Sequence, residues 1–238
     1  MKKFIVLSLM IVSALSVDAQ RKRTRTATSQ GNVVVRLGMG INHYKSDPDL
    51  QALYRETDVT FNPSVGYMVV DNLELGINFG VSNYFAEDFY TQSPVLSKRE
   101  MRGTDVLFGV YAQKYFPLNN WFALYTRGTL GLRTGSFETD DINGSTTTPF
   151  LSGSGIRNGV GGSVDFGFTF TPYNAFAIYA DIAGLSVSNL KTDYDGANNT
   201  VNDTHVGFNV IGNNHTADMV SPLSFGVAWY FGRGLWKK

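Results

Sequence analysis

Seven charged residues are the first candidates for chemistry, because each takes a polar position in a segment where large apolar residues alternate with small or polar ones. They are Arg36, Arg127, Arg133, Glu74, Asp105, Asp165 and Asp181. Arg127, Asp165 and Asp181 each stand about six residues from a turn signal, so they should lie at similar depth on neighbouring strands. Confined charges are costly unless they are paired, and an arginine between two carboxylates would satisfy all three.

We therefore predict that these residues form a structural charge cluster on an enclosed inner face of the fold, its lumen. Its members are Arg127, Asp165, Asp181, Arg36 and Glu74. The functional alternative is a gated ion path or an acid/base pair. No nucleophile or second base accompanies the Arg127 group in the sequence, which favours the structural interpretation.

The three histidines offer little support for catalysis or metal binding. His43 stands near Asp47, His205 near Asp203 and His215 near Asp218. Nucleophilic catalysis needs a histidine placed with a serine or an acid in a defined motif, and none is recognisable here. Scattered histidines are also weak evidence for a metal site. We expect no enzyme activity and no cofactor.

The elements that position these residues are strands with a two-residue period. In SFGVAWYF, Phe225, Val227, Trp229 and Phe231 alternate with small residues or tyrosine, and the same period recurs seven times upstream. The sequence predicts a final strand from about Ser221 and a short additional hairpin run at 205–212. The seven other strands are expected at 33–43, 59–68, 73–83, 104–116, 121–134, 159–171 and 175–188.

The connections between these strands alternate in length. Three are tight turns, at 69–72, 117–120 and 172–174. Four are long polar segments, and short turns on one side with long loops on the other are typical of outer-membrane barrels. The long segments are 44–58, 84–103, 135–158 and 189–220.

Composition decides which face of the barrel points outward. A soluble eight-stranded barrel would expose the Gly, Asn, Ser and Thr face and crowd its narrow lumen with large apolar groups. Charged residues make up 17% of the chain, against about 25% in typical soluble proteins. The predicted fold is an all-β, eight-stranded antiparallel up-and-down transmembrane β-barrel with short periplasmic turns and long extracellular loops.

The chain divides into four expected parts. Residues 1–19 have the basic start, apolar run and small Ala19 of a signal peptide, and 20–32 form a basic, disordered periplasmic leader. The barrel spans 33–231, and 232–238 form a short periplasmic tail. The sequence contains no cysteine, which excludes disulfides and a lipidated cysteine. A net charge of +0 indicates no nucleic-acid partner.

The signal ending at Ala19-Gln20, the alternation of turn and loop lengths and the closing SFGVAWYF resemble the small outer membrane protein beta-barrel domain proteins of the Bacteroidetes. Those proteins are similar in architecture to OmpX and the OmpA barrel. The resemblance covers about residues 31–231 and transfers no site residue. It implies location in the outer membrane of a Gram-negative bacterium. It also implies contact with outer-membrane lipid and lipopolysaccharide, and recognition of a terminal aromatic by the barrel assembly machinery.

Three functions are compatible with this sequence. The first is a non-enzymatic barrel with a structural role that presents its loops to an extracellular ligand. The second is a small solute channel, which eight strands disfavour because side chains nearly fill so narrow a lumen. The third is a lipid-modifying or proteolytic barrel enzyme.

Overall fold

Nine antiparallel strands make up the computed structural model of the protein, which describes residues 27–45, 52–92, 95–143, 153–173, 175–195, 200–210 and 224–232. Among these residues no helix is long and apolar enough to cross a membrane. The strands are β1 (Val33–Lys45), β2 (Ala52–Val70), β3 (Leu73–Gln92), β4 (Val95–Pro117), β5 (Phe122–Asn143), β6 (Gly153–Tyr173), β7 (Phe176–Tyr194), β8 (Thr200–Val210) and β9 (Ser224–Phe231).

The strands close into a ring of eight positions. Each strand from β1 to β7 pairs with the next, and β9 pairs with both β7 and β1. β7 uses its first half, Phe176 to Asp181, for β9, and its second half, Ala183 to Asp193, for β8. β8 and β9 therefore share the eighth position, which confirms the predicted up-and-down ring with an extra hairpin near 205–212.

β2 to β7 are each 5 to 10 residues longer than the sequence pattern predicted. β2 to β7 have 19 to 23 residues, whereas about 9–11 tilted residues cross a bilayer. Large parts of the expected polar loops, including 84–92, 95–103 and 135–143, are strand. The hydrogen-bond ladder continues past the apolar band, but the outward residues become polar there, and so the hydrophobic alternation disappears.

The two faces of the ring divide as predicted, with large apolar side chains outside and charged or small ones inside. Ile77, at the centre of the outward series on β3, is 51% exposed, while Glu74, a lumen residue of the same strand, is 0% exposed. Many other large apolar side chains are similarly exposed. An apolar outer band of this kind is what a barrel presents to lipid.

Three short connections lie at one end of the ring, which we call the turn end; the opposite end is the loop end. In the β2–β3 turn Asn72 adopts a φ of 64°, a left-handed conformation that asparagine tolerates better than most residues. In the β4–β5 turn the Asn119 side chain accepts hydrogen bonds from the backbone N–H groups of Trp121 and Phe122. Exposed aromatic side chains, among them Tyr67, Phe116, Trp121 and Tyr173, surround this end, as an aromatic girdle would.

The segment 27–32 is packed against the turn end, which corrects its expected disorder. Gly31 and Asn72 donate backbone hydrogen bonds to Met68 and Thr28 respectively, and the Gln30 N–H donates to Asp71. Ala27 is buried in one apolar cluster with residues of β1, β2, β4, β5, β7 and β9. This segment therefore closes the turn end of the lumen. Residues 1–26 of the expected signal and leader, and 233–238 of the tail, lie outside the described part.

Candidate functional site

A fully enclosed ion pair fills the lumen near the turn end. Arg36 of β1 and Glu74 of β3 form a bidentate pair in which both guanidinium Nη atoms contact the carboxylate oxygens. Tyr111 donates to Glu74 Oε1 at 2.5 Å, and Tyr115 donates to Oε2 at 2.8 Å. Arg36 also donates to both tyrosine hydroxyls. We call Arg36, Glu74, Tyr111 and Tyr115 the lower charge layer.

The strand register explains why these four groups meet. Lumen-facing positions alternate with outward ones, and Glu74 lies opposite Gln113, midway between Tyr111 and Tyr115 on β4. Gly66 and Gly76 provide the space, because a Cβ at either position would collide with Tyr111. Arg36 is 1% exposed. Two opposite charges and two hydroxyls thus complete each other's hydrogen bonds in a place that water does not reach.

Arg127, which the sequence placed at the centre of the cluster, has different partners. Its Nε donates to Gln113 Oε1 at 2.7 Å. The rings of Tyr111, Tyr125 and Tyr179 lie 5.2 to 5.8 Å from its guanidinium carbon. Within the described residues it forms no ion pair with Asp165 or Asp181.

The two aspartates are held separately, so the expected Arg127 bridge is not formed. Asp181 accepts hydrogen bonds from Tyr125 at 2.5 Å and from Ser224. Asp165 accepts from Ser163 at 3.0 Å through Oδ2. Tyrosine and serine hydroxyls on the lumen face provide the hydrogen bonds that the sequence analysis assigned to arginine. The structure therefore brings Arg36 and Glu74 into direct contact and leaves Arg127, Asp165 and Asp181 as neighbours.

A second ion pair joins the neighbouring strands β4 and β5 on the lumen face, closer to the loop end. Arg133 of β5 contacts Asp105 of β4, and both side chains are buried. Asp105 lies about 30 Å beyond Tyr115 along β4, at roughly 3.3 Å per residue. Further towards the loop end, the Arg157 guanidinium lies between Tyr84 and Phe137 and donates to the Tyr84 hydroxyl at 2.7 Å. Charged and aromatic side chains thus line the lumen at several depths.

The outer face of the long strands carries a separate group of charged and aromatic residues. Lys98 contacts Glu87 at 2.7 Å and Glu100 at 2.6 Å, and Arg102 lies over the Phe85 ring at 5.4 Å. Hydrogen bonding from Lys98 lowers the pKa of Glu100, which keeps this carboxyl ionised. With Arg55, which lies over the Phe89 ring, these residues form what we call the loop-end patch.

The described residues supply no obvious catalytic or metal centre. No cluster of three or more histidine or carboxylate side chains suited to a metal ion occurs among them. His43 and His205 lie on β1 and β8, but their side chains are outside the described part, as is all of His215. That the three histidines take no part in catalysis or metal binding therefore stays a prediction from the sequence.

Comparison with known proteins agrees with this architecture. The sequence model of the family described as "Outer membrane protein beta-barrel domain" matches residues 4–211 of the chain. The chain belongs to this family. Membership of the outer membrane protein beta-barrel domain family, together with the closed ring and its apolar outer band, places the protein in the outer membrane. A comparison with curated proteins finds no match.

Solved structures of outer-membrane barrels are similar to the chain in fold. OprG from Pseudomonas aeruginosa is 15% identical, with 85% of this chain and 97% of OprG covered and a TM-score of 0.48. Ail, the attachment invasion locus protein of Yersinia pestis, is 15% identical over 85% of this chain and 99% of Ail, with a TM-score of 0.33. A major outer membrane protein from Thermus thermophilus is 10% identical over 84% of this chain and 99% of that protein, with a TM-score of 0.40.

Proposed function

We propose that this protein is a non-enzymatic outer-membrane barrel with a structural role, whose interaction surface is the loop end. The observation that carries the proposal is the lower charge layer, where Arg36 and Glu74 are completely buried inside the ring. A lumen filled at this depth gives a solute no continuous polar path. The surface that remains for function is the part of β2 to β7 that extends beyond the bilayer.

The chemistry of the loop-end patch supports a lipid partner in addition to an extracellular ligand of the loops. The side chains of Arg102 and Arg55 are 66% and 44% exposed on the outer face of the extended strands. Guanidinium groups that project sideways just above an apolar band are suited to the phosphates of lipopolysaccharide. A closer kinship with the small Bacteroidetes barrels and with OmpX is part of this proposal and rests on the sequence pattern.

A small solute channel is the second candidate, favoured by one observation. A cavity of about 80 Å³ lies beside Arg127, Asp165 and Asp181 inside the ring. It provides space within the lumen between the lower charge layer and the Arg133–Asp105 pair. We rank this function second because the completely buried Arg36–Glu74 pair would have to separate before a solute could pass.

Cysteine labelling of intact cells tests the orientation on which the proposal depends. The chain has no cysteine, so the wild type provides a zero background. Leu118→Cys places a thiol in the exposed β4–β5 turn, and Glu138→Cys places one on the outer face of β5 near the loop end. We expect a membrane-impermeant maleimide to label Glu138→Cys on intact cells and to label Leu118→Cys only after the outer membrane is permeabilised. The opposite pattern would place the loop end in the periplasm and refute the proposal.

A further inference from the structure

The cavity inside the ring is lined by polar side chains from six different strands. Its volume of about 80 Å³ exceeds the roughly 10–15 Å³ that a single water requires. Oxygen-bearing side chains contribute most of the polar lining, and Arg127 brings the cationic group. Gly38, Gly131 and Gly161 leave space where side chains would otherwise project. We call this cavity the chamber.

Two opposite charges face each other across the chamber wall without pairing. Arg127 and Asp165 are direct partners in the β5–β6 register, a position that brings Cβ atoms to about 4.5–5.5 Å. Their charged groups nevertheless form no ion pair within the described structure. Arg127 Nη2 and Asp165 Oδ1 are both buried and lack a hydrogen-bond partner, and Asp165 is only 9% exposed.

Other atoms of these groups do form hydrogen bonds. Arg127 uses Nε for Gln113, and Asp165 uses Oδ2 for Ser163. Both oxygens of Asp181 are satisfied by hydroxyl groups. Among the described residues that line the chamber, the buried side-chain atoms without a partner are one cationic donor, Arg127 Nη2, and two acceptors, Asp165 Oδ1 and Asn78 Oδ1.

We propose that the chamber binds a small zwitterion, with its carboxylate at Arg127 Nη2 and its ammonium group at Asp165 Oδ1 and Asn78 Oδ1. An isolated anion would leave Asp165 unpaired, and an isolated cation would leave Arg127 unpaired, at the cost of a buried unsatisfied charge. A molecule that carries both charges pairs with Arg127 and with Asp165 at the same time. The volume of the chamber restricts it to a few heavy atoms between and around those charges.

Glycine is the smallest probe with this chemistry, and acetate and methylammonium each carry one of its two charges. The refolded full-length barrel in detergent is incubated with each radiolabelled probe, both during and after refolding, so that entry does not limit occupancy. We expect glycine to be retained at least about tenfold more strongly than acetate or methylammonium. Each single-charge probe can form only half of the charge-assisted hydrogen bonds that glycine forms. Equal retention of the three probes, or of none, would mean that the chamber holds water only and would overturn the proposal.

An isosteric variant tests the contact itself. Asp165→Asn removes the charge and keeps the shape, so we expect glycine retention to fall at least about tenfold. Glu138→Gln makes the same chemical change on the exposed outer face of β5 and should retain glycine as the wild type does. Wild-type retention in Asp165→Asn would refute the assignment. If that variant fails to refold, the comparison of the three probes on the wild-type protein still tests whether the chamber binds a zwitterion.

Discussion

Replacing Glu74 with alanine should lower the free energy of unfolding by about 3–5 kcal/mol, the usual cost of removing one partner from a buried ion pair. Glu74 is completely buried and accepts hydrogen bonds from Arg36, Tyr111 and Tyr115. Its loss leaves a guanidinium and two hydroxyls without an acceptor in a place that water does not reach. The measurement is the urea unfolding midpoint of the barrel refolded in lipid vesicles.

Two further variants separate the ion pair from general effects of substitution. The double variant Arg36→Met with Glu74→Leu should recover most of the lost stability, because packed apolar groups often replace a buried ion pair without loss. Glu138→Ala removes an exposed carboxylate from the outer face and should change the midpoint little. A Glu74→Ala variant as stable as the wild type would show that the lower charge layer does not hold the lumen together.

A charge placed on the lipid face should have an effect of similar size. Ile77 is the middle residue of the outward series on β3 and is 51% exposed in the isolated ring. Ile77→Arg should cost about 2–4 kcal/mol in lipid vesicles, because an arginine at the bilayer midplane must be removed from water. The urea midpoint in vesicles again provides the measurement.

The matched control for Ile77→Arg lies on the same outer face beyond the apolar band. Ser136 on β5 is exposed and pairs with Thr104, near the place where the outward residues become polar. Ser136→Arg should cost only about 0–1 kcal/mol, as expected near an interface. Equal costs at the two positions would contradict the assignment of the outer face to lipid.

The sequence predicted the ring because its two-residue period is carried by large side chains. Val35, Leu37, Met39 and Ile41 on β1 are one example, and the structure places this series on the outer face. The strands extend further towards the loop end than the sequence pattern predicted. Polar residues such as Glu87, Glu100 and Glu138 occupy the outward positions of these extensions, so the hydrophobic alternation does not continue there. Hydrophobic alternation shows where the strands are in contact with lipid, whereas the backbone hydrogen bonds between strands continue beyond that region.

One irregularity was visible in the sequence and was missed. The outward series on β7 runs through even-numbered positions up to Ala180, but Leu185 and Val187 are the exposed apolar residues further on. The structure has a register shift here, where Phe166 pairs with Ala183 and Gly167 with Asp181. The extra residue, Ile182, forms a bulge that returns the apolar side chains to the outside.

The partners inside the lumen were harder to predict than its lining. Alternation correctly placed Arg36, Glu74 and Arg127 on the inner face, but it gives no distance across the ring. Which charges meet depends on the strand stagger, and the tight turns fix the register only within each hairpin, not between strands joined by long loops. The inward tyrosines were a usable signal, because a buried phenol needs a hydrogen-bond partner, and Tyr111 and Tyr115 identify the carboxylate that is enclosed.

Single-channel recording of the wild-type barrel in planar lipid bilayers tests the central claim most directly, namely that the lumen is closed. The lower charge layer is completely buried inside the lumen, and the side chains of Arg133 and Asp105 are buried there as well, so we expect no stable conductance steps above the bare bilayer. Correct refolding of the same sample is verified by its resistance to urea. Long-lived open steps from a correctly folded wild-type barrel would contradict the account and make the small solute channel the better function.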